Sequence, residues 1–292
     1  MIISNLFGGL GNQMFQYAVC RSLALRNSTT FRLDVTRVES YDVHQGFELH
    51  RVFAGPMEIA SETDIQNILG WQSSPTIRRI LMRQKLTVFR RQGLVVEPHF
   101  EYWAGLSSAP RDSYLVGYWQ SEKYFKDVEQ IIRADLTFRT PLSAQNEQIA
   151  NLMAQGSAVS LHVRRGDYVS NPKTNAAHGT CSLEYYQAAI RCMADKVGSP
   201  QFYIFSDDIQ WVKEHLKLEF PCLYIEHNTG NESYNDMRLM SLCQHHIIAN
   251  SSFSWWGAWL NASEEKLVIA PQKWFVNDRF TKDLYPDSWV KL

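Results

Sequence analysis

The 292 residues contain no CxxC pair, and their cysteines are odd in number: Cys20, Cys181, Cys192, Cys222 and Cys243. Neither a zinc site nor a disulfide framework fits that pattern, and reduced thiols fit it better. Charge of one sign is also lacking. The formal net charge is -1, so no global basic field points to nucleic acid as a partner. No apolar run reaches the about 18 residues that suggest a membrane span. Met1 to Phe7 lacks a charged leader region and reads as a first strand, not as a signal peptide. These absences predict a cytoplasmic protein. Hydrophobic residues make up 45% of the chain, enough for one large domain or two modest ones. Nine Trp and thirteen Tyr could serve a carbohydrate site, but a core uses such rings just as readily.

The order of patterns is α/β. Ile2 to Phe7 is an apolar strand, Gly8-Gly9-Leu10-Gly11 a tight turn, Gln13 to Arg26 a helix and Thr30 to Val35 a second strand. That opening implies a parallel sheet. Helices are predicted at Glu62 to Leu69 and Ile77 to Arg91, the second with six basic residues. A solvated face is the favoured reading of that basic helix, over a surface for a membrane or an anionic acceptor. Tyr114 to Gly117 is a strand, and Pro141 marks the domain boundary. The predicted domains are 1–140 and 141–292. In the second, strands at Ala158 to Val163, Gln201 to Phe205, Cys222 to Ile225, His246 to Ala249 and Leu267 to Ala270 alternate with helices.

The segments after those strands carry the chemistry. Arg164-Arg165-Gly166-Asp167 comes after the first, Ser206-Asp207-Asp208 after the second, Asn250-Ser251-Ser252 after the fourth and Pro271-Gln272-Lys273 after the last. In an open parallel sheet these segments share one edge, where ligands bind. Arginine offers phosphate a planar fork of donors, and hydroxyls before a helix add its positive end. A carboxylate suits the N–H donors of guanine. Neighbours in an extended chain point to opposite sides, so Arg164 and Arg165 are expected to divide the work. One would face a pyrophosphate and the other brace the loop, with Asp167 a candidate partner. The glycine turn is neither a Walker A loop nor a complete GxGxxG. Asp208 reads as a helix cap, His245-His246 as packing, and Trp255, Trp256 and Trp259 as core.

Taken together, these motifs resemble a known family. Gly8-Gly9-Leu10-Gly11-Asn12-Gln13-Met14-Phe15-Gln16-Tyr17-Ala18, His162-Val163-Arg164-Arg165-Gly166-Asp167-Tyr168, Phe205-Ser206-Asp207-Asp208 and Asn250-Ser251-Ser252-Phe253-Ser254-Trp255-Trp256-Gly257-Ala258-Trp259 are similar to motifs of the bacterial α-1,2-fucosyltransferases, glycosyltransferase family 11. Gly117 to Phe125 is a further matching segment, and the match spans nearly the whole chain in order.

The resemblance implies a GT-B fold, with two Rossmann-like domains facing a cleft: an acceptor-side domain over 1–140 and a GDP-fucose-binding one over 141–292. It implies a galactoside α-1,2-fucosyltransferase: an inverting, metal-independent enzyme moving L-fucose from GDP-β-L-fucose to the 2-hydroxyl of a terminal galactose. A related GDP-sugar transferase with another linkage and a non-catalytic nucleotide-sugar-binding module are the alternatives. By the same resemblance, Arg164 binds the β-phosphate and assists its departure. His162 lies near guanine, and Asp236 matches a guanine-binding aspartate. Ser251, Ser252 and Phe253 form the phosphate-side loop. Gly9, Gly11, Asn12 and Asp207 complete the donor-binding set. No cofactor and no metal are expected, since GDP-fucose is a substrate. The expected partners are GDP-fucose and a galactose-terminated oligosaccharide or lipid-linked glycan, such as an O-antigen precursor, with peripheral membrane contact compatible and nucleic acid not expected. For a base on the acceptor hydroxyl, Asp34, Asp42, His44 and Glu48 are candidates, and none is assigned.

Overall fold

Short apolar runs ending at glycine or polar clusters become the strands of two separate parallel sheets. A computed structural model describes residues 1–39, 45–277 and 280–292, except the side chains of Gln84, Asp167 and Lys173. Two compact units emerge: Met1–Arg139 with Phe280–Leu284, and Thr140–Arg279 with Tyr285–Leu292.

The first unit holds strands β1 (Ile2–Asn5), β2 (Phe31–Asp34), β3 (Leu94–Val96) and β4 (Ser113–Val116) in the order β2-β1-β4-β3. The pairings of these strands are parallel. The chain leaves β1 toward β2 and later returns on the other side, so the order reverses between β1 and β4. Helix Leu10–Arg26 is buried over most of its length, as expected of a helix apolar on several faces.

The predicted helix from Ile77 to Arg91 is two pieces, an α-helix Pro75–Leu81 and a 3-10 helix Gln84–Phe89. The break has a visible cause. The Arg90 guanidinium donates to the carbonyls of Leu81, Met82 and Arg83 at 2.7, 3.2 and 3.3 Å, capping the first helix where a continuous one would run on.

The second unit holds β5 (Ser157–Val163), β6 (Pro200–Ser206), β7 (Cys222–Ile225), β8 (His245–Ile247), β9 (Val268–Ala270) and β10 (Val290–Lys291). Their order is β10-β9-β8-β5-β6-β7, again all parallel. This is the doubly wound order of dinucleotide-binding sheets, with the switch point between β5 and β8. Alternation along β5 sorts its side chains. Val159, Leu161 and Val163 join a core with Tyr186, Ile190, Met193 and Val212, from the helices Leu183–Val197 and Ile209–His215. Ala158 faces the other way, into a core with Tyr203, Phe205, Leu239 and Met240. His162 shares that second face with Phe253 and helix Tyr234–Leu242. Trp255, Trp256 and Trp259 are buried, as expected from the sequence. His246 is a packing residue held between Ser160 at 2.8 Å and Asn261 at 2.9 Å. Among the described residues no helix is long and apolar enough to cross a membrane.

Leu161 lies at the centre of this sheet and is fully buried. Leu161→Ala should lower stability by about 2–5 kcal/mol. Urea unfolding followed by tryptophan fluorescence measures it.

Candidate functional site

The register of β5 builds the site in the second unit. His162 pairs with Phe205 and Val163 with Ser206, so one step further Arg164 meets Asp207. On the other side Leu161 pairs with Ile247, and three residues further on each strand Arg164 comes beside Asn250. Arg164 therefore stands at the switch point, flanked by the loops after β6 and β8.

Asp207 organises this corner. Its Oδ2 accepts from the Arg164 Nη1 at 2.8 Å, and its Oδ1 accepts from the Arg165 amide at 2.8 Å. Gly166 is required there, because a Cβ would lie 2.5 Å from the Asp207 Oδ2. The Arg164 guanidinium also sits 5.6 Å from the Tyr168 ring, whose hydroxyl donates to the Asn250 carbonyl at 3.1 Å. Arg164 keeps 29% of its side chain exposed, enough to meet a ligand.

Arg165 goes the other way. Its Nε lies 3.2 Å from Asp208, and its guanidinium stacks 3.6 Å from the Trp211 ring centre. Asp208 accepts from the Trp211 amide at 3.3 Å, capping helix Ile209–His215. The two arginines thus bind different partners. The Asp167 side chain, one expected brace, lies outside the described residues, and Asp208 fills that role.

His162 is 4% exposed, its ring 5.9 Å from that of Phe253. Burial pushes its pKa down to about 3; the Asp207 charge opposes this and Arg164 adds to it. The imidazole is neutral at ordinary pH. Its Nδ1 is buried without a hydrogen-bond partner among the described residues. An unmet polar atom of this kind costs about 1–3 kcal/mol, a cost that a bound ligand or water removes.

The third wall is the turn after β8. Asn250 is buried, and its Nδ2 donates to the carbonyls of His178, Gly179 and Trp274 at 3.0, 3.2 and 3.2 Å. That clamp fixes Ser251, whose hydroxyl accepts from the Phe253 amide at 3.3 Å and caps helix Ser252–Leu260. Ser252 opens the helix at its positive end. Asp236 belongs to helix Tyr234–Leu242, on the His162 face of the sheet. Burial pushes its carboxyl up to about 7, against a hydrogen bond from Asn228 at 2.9 Å. Asn228 also bonds Asn146, and Asn146 accepts from His227 Nε2 at 2.8 Å when that nitrogen carries the proton. This amide network was not legible from spacing, because its members lie on three elements.

The other expected donor-binding residues, Gly9, Gly11 and Asn12, lie in the first unit. Gly8 takes φ +79° and Gly9 precedes helix Leu10–Arg26. Gln16 exchanges hydrogen bonds with the Phe7 backbone at 3.0 and 3.3 Å, and Gln13 donates to the carbonyls of Gly8 and Gly46 at 3.1 and 2.9 Å. Buried amides therefore close this loop. Asn12 accepts from Gln120 Nε2 at 2.7 Å, joining the loops after β1 and β4. Trp119 is buried with φ +56°, an uncommon conformation for a bulky residue. Glu97 holds it, accepting from the amides of Tyr118 and Trp119 at 2.7 and 2.9 Å. Burial pushes Glu97 up to about 7, although those two amides oppose the shift.

The base candidates fare differently. Burial alone would raise the Asp34 carboxyl, but Thr36, Tyr114 and Arg78 outweigh burial and hold it below its ordinary value. Arg78 pairs with it at 3.0 Å, so Asp34 is an ionised brace. Burial raises Glu48, against the Arg51 cation at 3.5 Å and the Leu10 amide, and Glu48 serves the glycine loop. Asp42 and His44 lie outside the described residues. Among the described residues no group of three or more His, Cys, Asp and Glu could hold a metal. A cavity of about 800 Å³ opens along β3, lined by Arg90, Val95, Glu97 and Trp103, and no expected nucleotide-binding residue borders it.

Low pH should expose the role of burial at His162. Its folded pKa lies below the ordinary 6.5, so the contribution to stability is full above 6.5 and is lost as pH falls toward 3. His162→Asn should flatten that part of the stability curve between the two values, read from thermal melts at stepped pH.

The sequence model of glycosyl transferase family 11 matches residues 97–292. The chain is similar to an alpha-1,2-colitosyltransferase of Escherichia coli, 32% identical over 301 residues, covering 100% of this chain and 99% of that protein. It is similar to the O-antigen biosynthesis glycosyltransferase WbnK of Escherichia coli, 33% identical over 320 residues and covering 99% of each. In structure it is similar to the fucosyltransferase NodZ from Bradyrhizobium, with TM-score 0.54, 17% identity, and 88% and 91% of the two chains covered. A NodZ alpha-1,6-fucosyltransferase soaked with GDP-fucose gives TM-score 0.53 at 17% identity, over 89% and 91%. The two-unit α/β architecture is of the GT-B type.

Proposed function

The chain belongs to glycosyl transferase family 11, and on that premise we propose that it moves L-fucose from GDP-β-L-fucose to the 2-hydroxyl of a terminal galactose, with inversion and without a metal. The observation that carries this reading is Arg164, held by Asp207 at the switch point, beside the unmet Nδ1 of buried His162. The solved NodZ enzyme soaked with GDP-fucose supports the choice of nucleotide sugar. In this reading residues 141–292 take the nucleotide sugar and 1–140 the acceptor, a galactose-terminated oligosaccharide or a lipid-linked glycan in the cytoplasm. The O-antigen role in the name of the WbnK relative supports that acceptor class.

The chemistry is set by the leaving group. GDP departs as an anion. The Arg164 fork meets the β-phosphate, and Ser251 and Ser252 bring hydroxyls and the positive end of helix Ser252–Leu260. These charges act where negative charge develops in the transition state, which is the part a metal would otherwise play. Neutral His162 serves as a hydrogen-bonding group, not a cation, with Phe253 as an apolar face beside it. Asp207 positions Arg164. Asp236 accepts the N–H donors of guanine. A colitosyl donor is the second reading, favoured by the name of the relative that is 32% identical over the full chain.

Arg164→Ala should lower transfer from GDP-fucose roughly a hundredfold to a thousandfold, with a cooperative thermal melt retained. The assay uses a galactoside acceptor in EDTA with a panel of donors. Full metal dependence, preference for a UDP-sugar, or wild-type turnover in the variant would overturn the reading. Preference for a colitosyl nucleotide would select the second.

Asp236 makes a separate prediction. Its carboxyl is pushed up to about 7 in the free protein, and guanine donors favour the ionised form. Below that pH, GDP binding should release a proton, and affinity should fall as pH drops. Calorimetry in buffers of different ionisation enthalpy should detect the proton in the wild type and not in Asp236→Asn.

A further inference from the structure

From Ile65 to Val96 the chain has no acidic residue and six basic ones. The structure sorts those six. Arg78 is committed to Asp34, and Arg90 is turned onto the end of helix Pro75–Leu81. Arg79, Arg83, Lys85 and Arg91 are exposed. Large apolar side chains lie among them: Val88 is 85% exposed, Trp71 64%, Phe89 62% and Ile80 46%.

This segment is not a loose tail. Ile77, Leu81, Met82 and Leu86 pack inward against a core that includes Ile3, Ile65 and Leu94. Buried Gln72 donates to the Phe89 carbonyl at 2.8 Å and accepts from the Arg91 amide at 3.0 Å. That staple holds the stretch bearing Trp71 beside the stretch bearing Phe89. One exposed apolar residue on a surface is ordinary. Four on one anchored segment, with four exposed cations and no anion, form a pattern that water alone does not favour.

We propose that residues 71–91 dock the protein on an anionic bilayer surface. The cations meet lipid phosphates, while Val88, Phe89, Trp71 and Ile80 enter the boundary between headgroups and acyl chains. The combination selects the occupant. A soluble polyanion would satisfy the cations and leave the aliphatic side chains in water, and an uncharged apolar partner would leave the cations uncompensated. The proposal does not rest on the transfer reaction, and it places the protein at a membrane without crossing it.

Flotation of the whole chain with vesicles tests this. The chain should bind equimolar phosphatidylglycerol and phosphatidylcholine and should not bind phosphatidylcholine alone. Arg79→Gln with Arg83→Gln should weaken partitioning roughly fivefold per charge removed. Val88→Ser with Phe89→Ser should weaken it at least tenfold with the charge unchanged. High salt should release the wild type. Both variants should keep the cooperative thermal melt of the wild type, which separates a docking defect from misfolding. Equal binding to both vesicles, no binding to either, or undiminished binding by the variants would overturn the proposal. So would a self-association, seen by sedimentation, that Phe89→Ser abolishes.

Discussion

The Asp207 carboxylate is the constraint on which the rest of the second unit depends. One oxygen takes the Arg165 amide and the other the Arg164 guanidinium, so backbone and side chain are fixed by one group. As a partly exposed ion pair it adds little to stability, at most about 1 kcal/mol. Its effect is positional. It sets where Arg164 points and leaves Arg165 to Asp208 and Trp211. Gly166 has no Cβ because that carboxylate occupies the space. His162, on β5 two residues before Arg164, feels both charges, yet burial decides its protonation state.

The first unit solves the same problem with other groups. Its switch lies between β1 and β4, and the loops after those strands are joined by the Asn12–Gln120 hydrogen bond. Arg51 reaches Glu48 here, at 3.5 Å. Buried amides and carboxyls order this corner: Gln13, Gln16 and Glu48 around the glycine loop, and Glu97 under Tyr118 and Trp119. A bulky residue at positive φ costs on the order of 1–3 kcal/mol and persists only where its surroundings over-determine it. The two Glu97 hydrogen bonds and the burial of the Trp119 ring supply that determination.

Much of the site was legible before the structure. Parallel strands follow from β-α alternation, and ligands meet such sheets at the strand ends, so the segments Arg164-Arg165, Ser206-Asp207-Asp208 and Asn250-Ser251-Ser252 could be named from order alone, while the choice of Arg164 came from the family resemblance. Side-chain alternation also separated Arg164 from Arg165. What stayed hidden were partners distant in sequence. Asp208 reaches Arg165 because β6 pairs with β5 in one particular register. Asp34, an open carboxylate in the sequence, proves to be a buried ion pair with Arg78, 44 residues away. The basic helix breaks in two because a side chain eight or nine residues on reaches back to its carbonyls.

The sequence by itself determined the α/β class, the strand-end motifs and the membership of the chain in its family. Those depend on local periodicity and on residue types at fixed spacing, which a linear reading preserves. Only the tertiary structure decided which carboxylates are free to act, which arginines are committed, and where apolar side chains remain in water. Burial and pairing are properties of three-dimensional neighbours. Desolvation that pushes Asp236 and Glu97 up and His162 down exists only once those neighbours are in place.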